Sequence, residues 1–196
     1  MCKNMPPLEL AIQFHGHICP GLLIGVRAAE LAQKQMGIGQ DSDEELIALV
    51  ENDNCSVDAI QAILGCTFGK GNLIFRDHGK NVWTIISRQS GNSLRIAQKF
   101  GSTAGPASER FRELNGKQDL TDQEAGEKEI LIGELFEKIM SMPAEDLFTW
   151  REVAIEIPER ASIRKTVRCD LCGEGVMETR TVSKDGKTLC PECQHN

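Results

Sequence analysis

A chain of 196 residues with 40% hydrophobic and 26% charged positions has the composition of an ordinary soluble globular protein, long enough for one substantial core and a small appendage. Its net charge of −7 is uneven: seven basic against five acidic residues over 160–196 give that segment about +2 and leave about −9 on the rest. That acidity argues against broad electrostatic binding of nucleic acid, and eight cysteines favour metal or thiol chemistry over a disulfide framework.

No stretch of about 18 apolar residues occurs, and MCKNMPPLEL has no run of signal-peptide length, so the expectation is a cytoplasmic protein with no membrane partner. Pro6 and Pro7 precede LELAIQF, a short amphipathic helix that Gly16 can end in a left-handed conformation. Pro20 suits the first turn of a second helix, PGLLIGVRAAELAQKQMG, because its missing N–H would have no intrahelical partner there. Gly21, Gly25, Ala29 and Ala32 form a stripe of small residues on that helix, which predicts close packing by another element. ELIALVEND reads as a buried strand and SVDAIQAILG as a helix beginning at about Ser56. GNLIFRDHGKNVWTIISR reads as two strands joined around DHGKN, with Gly79 and Asn81 as turn residues. After GSTAGP, helical sequence runs from Pro106 to about Leu114. A further helix starts at TDQE, where Thr121 and Glu124 have capping-box spacing. Its apolar positions Ile130, Leu131, Leu135, Ile139 and Met140 follow the helical period, and its acidic face is expected to be solvated. From FTWREVAIEIPERASIRKTV onward the pattern changes to short extended segments, with a boundary near 158–166. Helices and strands without strict alternation predict an α+β body over 1–160 and a small C-terminal domain over 161–196.

The tail carries the strongest signal. Cys169-x-x-Cys172 and Cys190-x-x-Cys193 are separated by 17 residues, with Asp185-Gly186 at a hairpin turn between them. Two such knuckles can close four thiolates around Zn2+, and a segment this short needs the metal's free energy to fold. The expectation is a closed, structural zinc ribbon with four cysteine ligands, His195 being the less favoured replacement for one of them. Arg164, Lys165, Arg168 and Arg180 permit nucleic-acid contact, but no aromatic residue follows Trp150 for bases to stack on, so nucleic acid is not the expected partner.

Of the other cysteines, Cys2 lies near the terminus and is set aside. Cys19 and Cys55 precede helices, and Cys66 follows one. A helix N-terminus lowers a thiol's pKa, so Cys19 and Cys55 are expected to favour thiolate. In an extended connection His17 and Cys19 can point the same way and reach one centre. A histidine with two or three thiolates suits Zn2+ or another soft divalent ion with one position open; a cysteine taken singly is more readily a small buried hydrophobe. GCTFGKGN lacks the phosphate-loop pattern, since Gly71 follows Lys70, and reads as a tight turn bringing Cys66 and Asn72 toward one cleft. Asp77, His78 and Lys80 either add polar groups to that cleft or form a solvated hairpin tip.

FHGHICPGLLIGVRAAELA and ENDNCSVDAIQAILGCTFGKGNLIFRDHGK resemble the FmdE family, named for one of the subunits of formylmethanofuran dehydrogenase, over roughly residues 8–100; the ribbon extends the resemblance to its longer members. The resemblance implies an α+β core, often dimeric, with a metal site in a cleft. His17, Cys55 and Cys66 stand at its motif positions as ligands, with Cys19 as a further ligand or a reactive thiolate. It also implies association with one-carbon, molybdenum- or tungsten-dependent oxidation whose catalytic subunit is a different chain. The family often has Tyr where His78 and Val26 stand; this chain has none, and His78 is the candidate substitute for proton transfer. On this reading Cys19 and His78 are the catalytic candidates. His15, Asp58, Asn72, Asp77 and Lys80 serve the substrate, with His15 behind the ligands rather than among them. The expected protein is an accessory or stand-alone FmdE-like metal binder associated with metal- or thiol-dependent oxidoreductase chemistry. It would be a homodimer, with a protein partner in a one-carbon oxidoreductase complex and an open site for a one-carbon or redox substrate. The rival expectation is a non-enzymatic scaffold or sensor whose ribbon docks a partner protein or nucleic acid.

Overall fold

Pro7 and Pro20 each sit at the start of a helix, where an N–H would have no intrahelical acceptor. In the computed structural model, which describes residues 5–41, 43–160 and 162–195, α1 spans Pro7–His15 and α2 spans Pro20–Met36. Both end on a left-handed glycine, Gly16 at φ 94° and Gly37 at φ 64°. A third helix, α3 (Ser56–Leu64), crosses α2 at the predicted stripe of small residues. A Cβ on Gly25 would stand 2.3 Å from the Ser56 carbonyl oxygen and 2.6 Å from its Cα, and one on Gly21 would stand 3.3 Å from Cys55 Cβ. The absent side chains let the start of α3 lie directly on the first two turns of α2.

The sheet holds β1 (Leu46–Val50), β2 (Leu73–Phe75), β3 (Val82–Ser87), β4 (Ser93–Gln98) and β5 (Phe148–Glu152) in the order β2-β1-β3-β4-β5. Only β1 and β2 run parallel; the remaining neighbours are antiparallel. The two strands flanking DHGKN are therefore not a hairpin, because β1 lies between them. Its sequence LIALV is buried along its whole length, so both its edges and both its faces need partners. The short strand β4, SLRIAQ, alternates Leu94 and Ile96 inward with Arg95 and Ala97 outward. On the inner face, Val50, Trp83, Ile85, Ile96 and Phe148 pack with α2 and α3 in one core. On the outer face, Ile47, Leu49 and Ile86 form a smaller cluster covered in part by Ile155. The chain after β5 is held to Arg88, whose guanidinium donates to the carbonyls of Pro158 at 2.6 Å and Glu159 at 3.1 Å. Trp83 is fully buried, edge-on to Phe148 at 6.2 Å between ring centroids, and its indole N–H has no acceptor among the described residues.

Two more helices, α4 (Pro106–Asn115) and α5 (Asp122–Ser141), precede the single turn α6 (Ala144–Leu147). The capping box at α5 is complete: Glu124 N–H donates to Thr121 Oγ1 at 3.3 Å, and Thr121 N–H donates to Glu124 Oε2 at 3.1 Å. The Lys117 ammonium and the Thr121 donors hold the Glu124 carboxyl down to about 2. Leu131, Leu135 and Ile139 face the core, whereas Ile130, on the same apolar run, is exposed. Arg27 of α2 gathers the last carbonyls of α5, donating to those of Ile139 (2.9 Å), Met140 and Met142 (2.8 Å). No helix of the described residues is long and apolar enough to cross a membrane.

The chain divides into two compact units, Met1–Arg160 and Ala161–Asn196. The second contains two small antiparallel ladders, β6 (Thr166–Arg168) with β7 (Gly175–Met177) and β8 (Val182–Lys184) with β9 (Lys187–Leu189). Asp185 and Gly186 both have positive φ, 52° and 74°, at the β8–β9 turn.

Candidate metal centres

In the second unit the strands bring both knuckles together. The sulfurs of Cys169, Cys172, Cys190 and Cys193 all lie within 4.8 Å of one another, with Cys172 and Cys190 4.0 Å apart. Four zinc–sulfur bonds in a tetrahedron demand sulfur separations of about 3.8 Å, so this donor set fits the ion. The knuckles are braced by the chain itself. Asp170 N–H donates to the Thr188 carbonyl, Thr188 N–H donates to the Asp170 carboxylate, and Cys190 N–H donates to Cys169 Sγ at 3.4 Å. Backbone N–H groups of Cys172, Cys190 and Leu171 hold the Cys169 thiol down to about 6, which prepares one thiolate before metal arrives. Cys2 and the side chain of His195 lie outside the described residues.

In the body, α1 ends and α2 begins around one point. Gly16 turns the chain back, so that His15, His17 and Cys19 offer ligand atoms within 4.8 Å of one another. The two imidazoles lie 4.5 Å apart, tilted by 35°. His15 Nε2 is 3.7 Å from Cys19 Sγ, and His15 Nδ1 is 2.7 Å from Asp58 Oδ2 on the first turn of α3. An imidazole whose Nδ1–H is given to a carboxylate keeps its Nε2 lone pair free for a metal, and the Asp58 contact sets His15 in that tautomer. Asp58 in turn accepts from Gln61 Nε2 at 3.3 Å, and Gln61 Oε1 accepts from Phe68 N–H at 3.3 Å, so the ligand's support runs back into the loop after α3. For a tetrahedral ion bound by one imidazole and one thiolate the nitrogen–sulfur separation is about 3.6 Å, which the His15–Cys19 pair matches.

Cys19 caps α2, its sulfur accepting from Leu22 N–H at 3.4 Å. The helix end does not make it a free thiolate. Burial and the adjacent Cys55 outweigh the Leu22 N–H and push the thiol up to about 11. A metal ion arriving here therefore displaces a proton, and its capture strengthens as pH rises toward that value.

The other residues singled out by sequence fall in three places. Cys55 stands at the head of α3 against Gly21, interacting with Cys19, and lies at the edge of the three-residue group rather than within it. Cys66 and Asn72 are elsewhere in the fold. Cys66 is completely buried, and burial with the neighbouring Asp41 carboxylate pushes its thiol up to about 12. Asn72, 2% exposed, donates to the Leu46 carbonyl at 2.9 Å and accepts from Thr67 N–H at 2.9 Å, tying the start of β1 to the loop after α3. Asp77, His78 and Lys80 occupy the turn between β2 and β3; His78 Nδ1 pairs with Glu51 at 3.2 Å, and its ring is half exposed.

Beside the His/Cys group opens a cleft of about 550 Å³, reached by His17, Cys19 and Cys55 and walled by Phe111 of α4 and by Lys128, Glu129 and Ile132 of α5. The Lys128 ammonium lies 5.8 Å from the centre of the Phe111 ring. These wall residues leave no mark in the sequence, because the acidic face of α5 has the pattern of a solvated surface. The sign that could have promoted His15 is its spacing: as the last residue of α1, before a left-handed glycine, it stands four positions from Cys19.

Residues 14–149 match the family model described as FmdE, molybdenum formylmethanofuran dehydrogenase operon, and residues 163–195 match the prokaryotic dksA/traR C4-type zinc finger. The chain is 35% identical over 191 residues to an Archaeoglobus fulgidus protein named "Probable S-adenosyl-L-methionine-binding protein", covering 93% of this chain and 51% of that one. It thus spans about half the length of the curated relative it matches. It also resembles the crystal structure of a tungsten formylmethanofuran dehydrogenase FmdE-like protein from Syntrophus aciditrophicus. The TM-score is 0.63 and the identity 25%, covering 95% of this chain and 89% of that one. With a family model matched across the helices and sheet that build the His/Cys centre, and a C4-type finger matched at the four-cysteine centre, the chain belongs to the FmdE family and carries a C-terminal zinc finger.

Proposed function

We propose that the body binds a soft divalent metal ion through His15 Nε2, His17 and Cys19, with Cys55 at its margin, and presents it to a one-carbon carrier in the adjoining cleft. The observation that carries this reading is the convergence of three ligand atoms within 4.8 Å, one of them oriented by a carboxylate from another helix. Three protein ligands would leave a tetrahedral ion one open position, and two of the three, His17 and Cys19, also line the cleft. S-adenosylmethionine, which carries a transferable methyl group, is the ligand to try first, on the strength of the relative's name and of a cleft that offers Phe111 beside both a cation and a carboxylate.

The metal content of protein purified without chelators or a metal-affinity step tests the reading. Two ions per chain are expected, one lost in His17→Ala or Cys19→Ala and the other in Cys172→Ala. One ion, lost only in Cys172→Ala, would overturn the body site.

Asp58→Asn supplies a finer check. The amide can still touch His15 but cannot favour the imidazole whose Nε2 is free as the carboxylate does. Competition with a chromophoric chelator is expected to show roughly 10–100-fold weaker metal binding by the body, with the finger's ion held as before.

A further inference from the structure

The outer face of the sheet carries a feature that the metal centre does not use. In the β4–β5 ladder Arg95 is the direct register partner of Arg151, on the face opposite Leu94 and Ile96. Like charges placed directly across an antiparallel pair are destabilising. Their compensation is thin. Arg95 has one 3.4 Å contact to Glu51, and that carboxylate is shared with His78; Arg151 has no ion-pair partner among the described residues. Arg95 also lines an open groove of about 470 Å³ with Lys80, Lys99 and Phe100. The Lys80 ammonium has no partner among the described residues, and Lys99 is engaged only by the carbonyl of Glu145. Phe100, the most exposed large apolar side chain of the body, stands at the rim of the groove. Three cations line the groove, and Arg151 stands next to Arg95 across the ladder. With a free aromatic ring beside them, on a body of net negative charge, they describe a site for an anion that also has a flat ring.

We infer that this groove binds a nucleotide, its phosphates on Arg95, Arg151 and Lys80 and its base against Phe100. Guanidinium groups meet phosphate through two parallel hydrogen bonds, which relieves the Arg95–Arg151 repulsion, and a base–aromatic stack needs no particular base. The groove also has a physical link to the cleft. Its lining residues Asn81 and Gln98 are hydrogen-bonded to each other; Asn81 is bonded on to Asn54, next to Cys55, and Gln98 to Thr103, which lines a smaller hollow beside Cys19.

Calorimetric titration of the full-length, metal-loaded protein at low ionic strength tests the inference, with ATP and inorganic tripolyphosphate as separate probes. ATP is expected to bind, and more tightly than tripolyphosphate. Arg95→Gln/Arg151→Gln is expected to weaken ATP by at least roughly tenfold, and Phe100→Ala to remove its advantage over tripolyphosphate. No ATP binding, or unchanged affinity in the double variant, overturns the site, and equal affinities for the two probes overturn the base contact. Folding of the variants is read independently. Arg151→Gln without ligand is expected to raise the melting temperature by about 1–3 °C, because it removes the cross-strand repulsion. An unchanged or lowered melting temperature would show that the pair carries no repulsion for a phosphate to relieve, and would overturn its part in the site. The metal count is unaffected in every arm, so failure here and failure of the metal reading are distinguishable.

Discussion

Gly25→Ala is expected to destabilise the body by about 3 kcal/mol or more and to cost it its metal while the finger keeps its own. The added Cβ would lie 2.3 Å from the Ser56 carbonyl oxygen and 2.6 Å from its Cα, and both are backbone atoms that no rotamer change can move. Overpacking in a close-packed interior costs about 1–3 kcal/mol where side chains can yield, so a clash against backbone at a helix crossing belongs at or beyond the top of that range. The relief available is for α3 to lift from α2, and α3 carries both Cys55 at its head and Asp58, the residues that adjoin Cys19 and orient His15. Urea unfolding followed by tryptophan fluorescence measures the first effect, and metal analysis measures the second. Gly21→Ala is the graded control: its Cβ would meet Cys55 Cβ at 3.3 Å, a contact that gives with a few tenths of an ångström, so a cost of about 1 kcal/mol is expected. Equal stability of Gly25→Ala and the parent protein would show that the two helices can part there at no cost.

Chelation of the finger's ion is expected to unfold residues 161–196 and leave the body's cooperative transition in place. The finger's buried cluster consists of Cys169, Cys190, Cys193 and Leu189, with Val176 packed against it, so three of its four buried residues are ligands. So little apolar surface cannot offset the entropy of ordering the segment, whereas a structural zinc site supplies on the order of 10–16 kcal/mol. Limited proteolysis after treatment with a strong chelator reads the outcome. Rapid cleavage within 161–196, with 1–160 resistant, is expected; a finger that stays resistant without metal would mean that its two ladders stand alone.

What could be read from the sequence was local. Gly16, Gly37, Pro20 and the Thr121/Glu124 pair act within one turn of chain, and the structure has each of them in its expected role. The two Cys-x-x-Cys knuckles are also local, and a hairpin turn joins them. What could not be read was set by partners distant along the chain. β1 needs a neighbour on each side because it is buried throughout, yet nothing in GNLIFRDHGKNVWTIISR announces that another strand will enter between its two halves. The spacing of His15 from Cys19 is local, but the carboxylate that orients its imidazole, Asp58, comes 43 residues later. Cys66 matched a family motif, but its neighbours Asp41 and Asn72 are bound up in closing the loops on either side of α3 and β1, away from the His/Cys group. Helix-end electrostatics suggested a reactive Cys19; burial, which depends on the whole fold, reversed that sign.

Trp83, sealed in the core, belongs to an optical asymmetry of the chain. The protein has no tyrosine, and both of its tryptophans and all of its phenylalanines fall at or before Trp150. Light absorbed by indole therefore reports on the body alone, and the finger is dark. A single sample can then be followed in two channels, emission for one unit and thiolate-to-metal charge transfer with a coloured substitute ion for the other, with no label added to either.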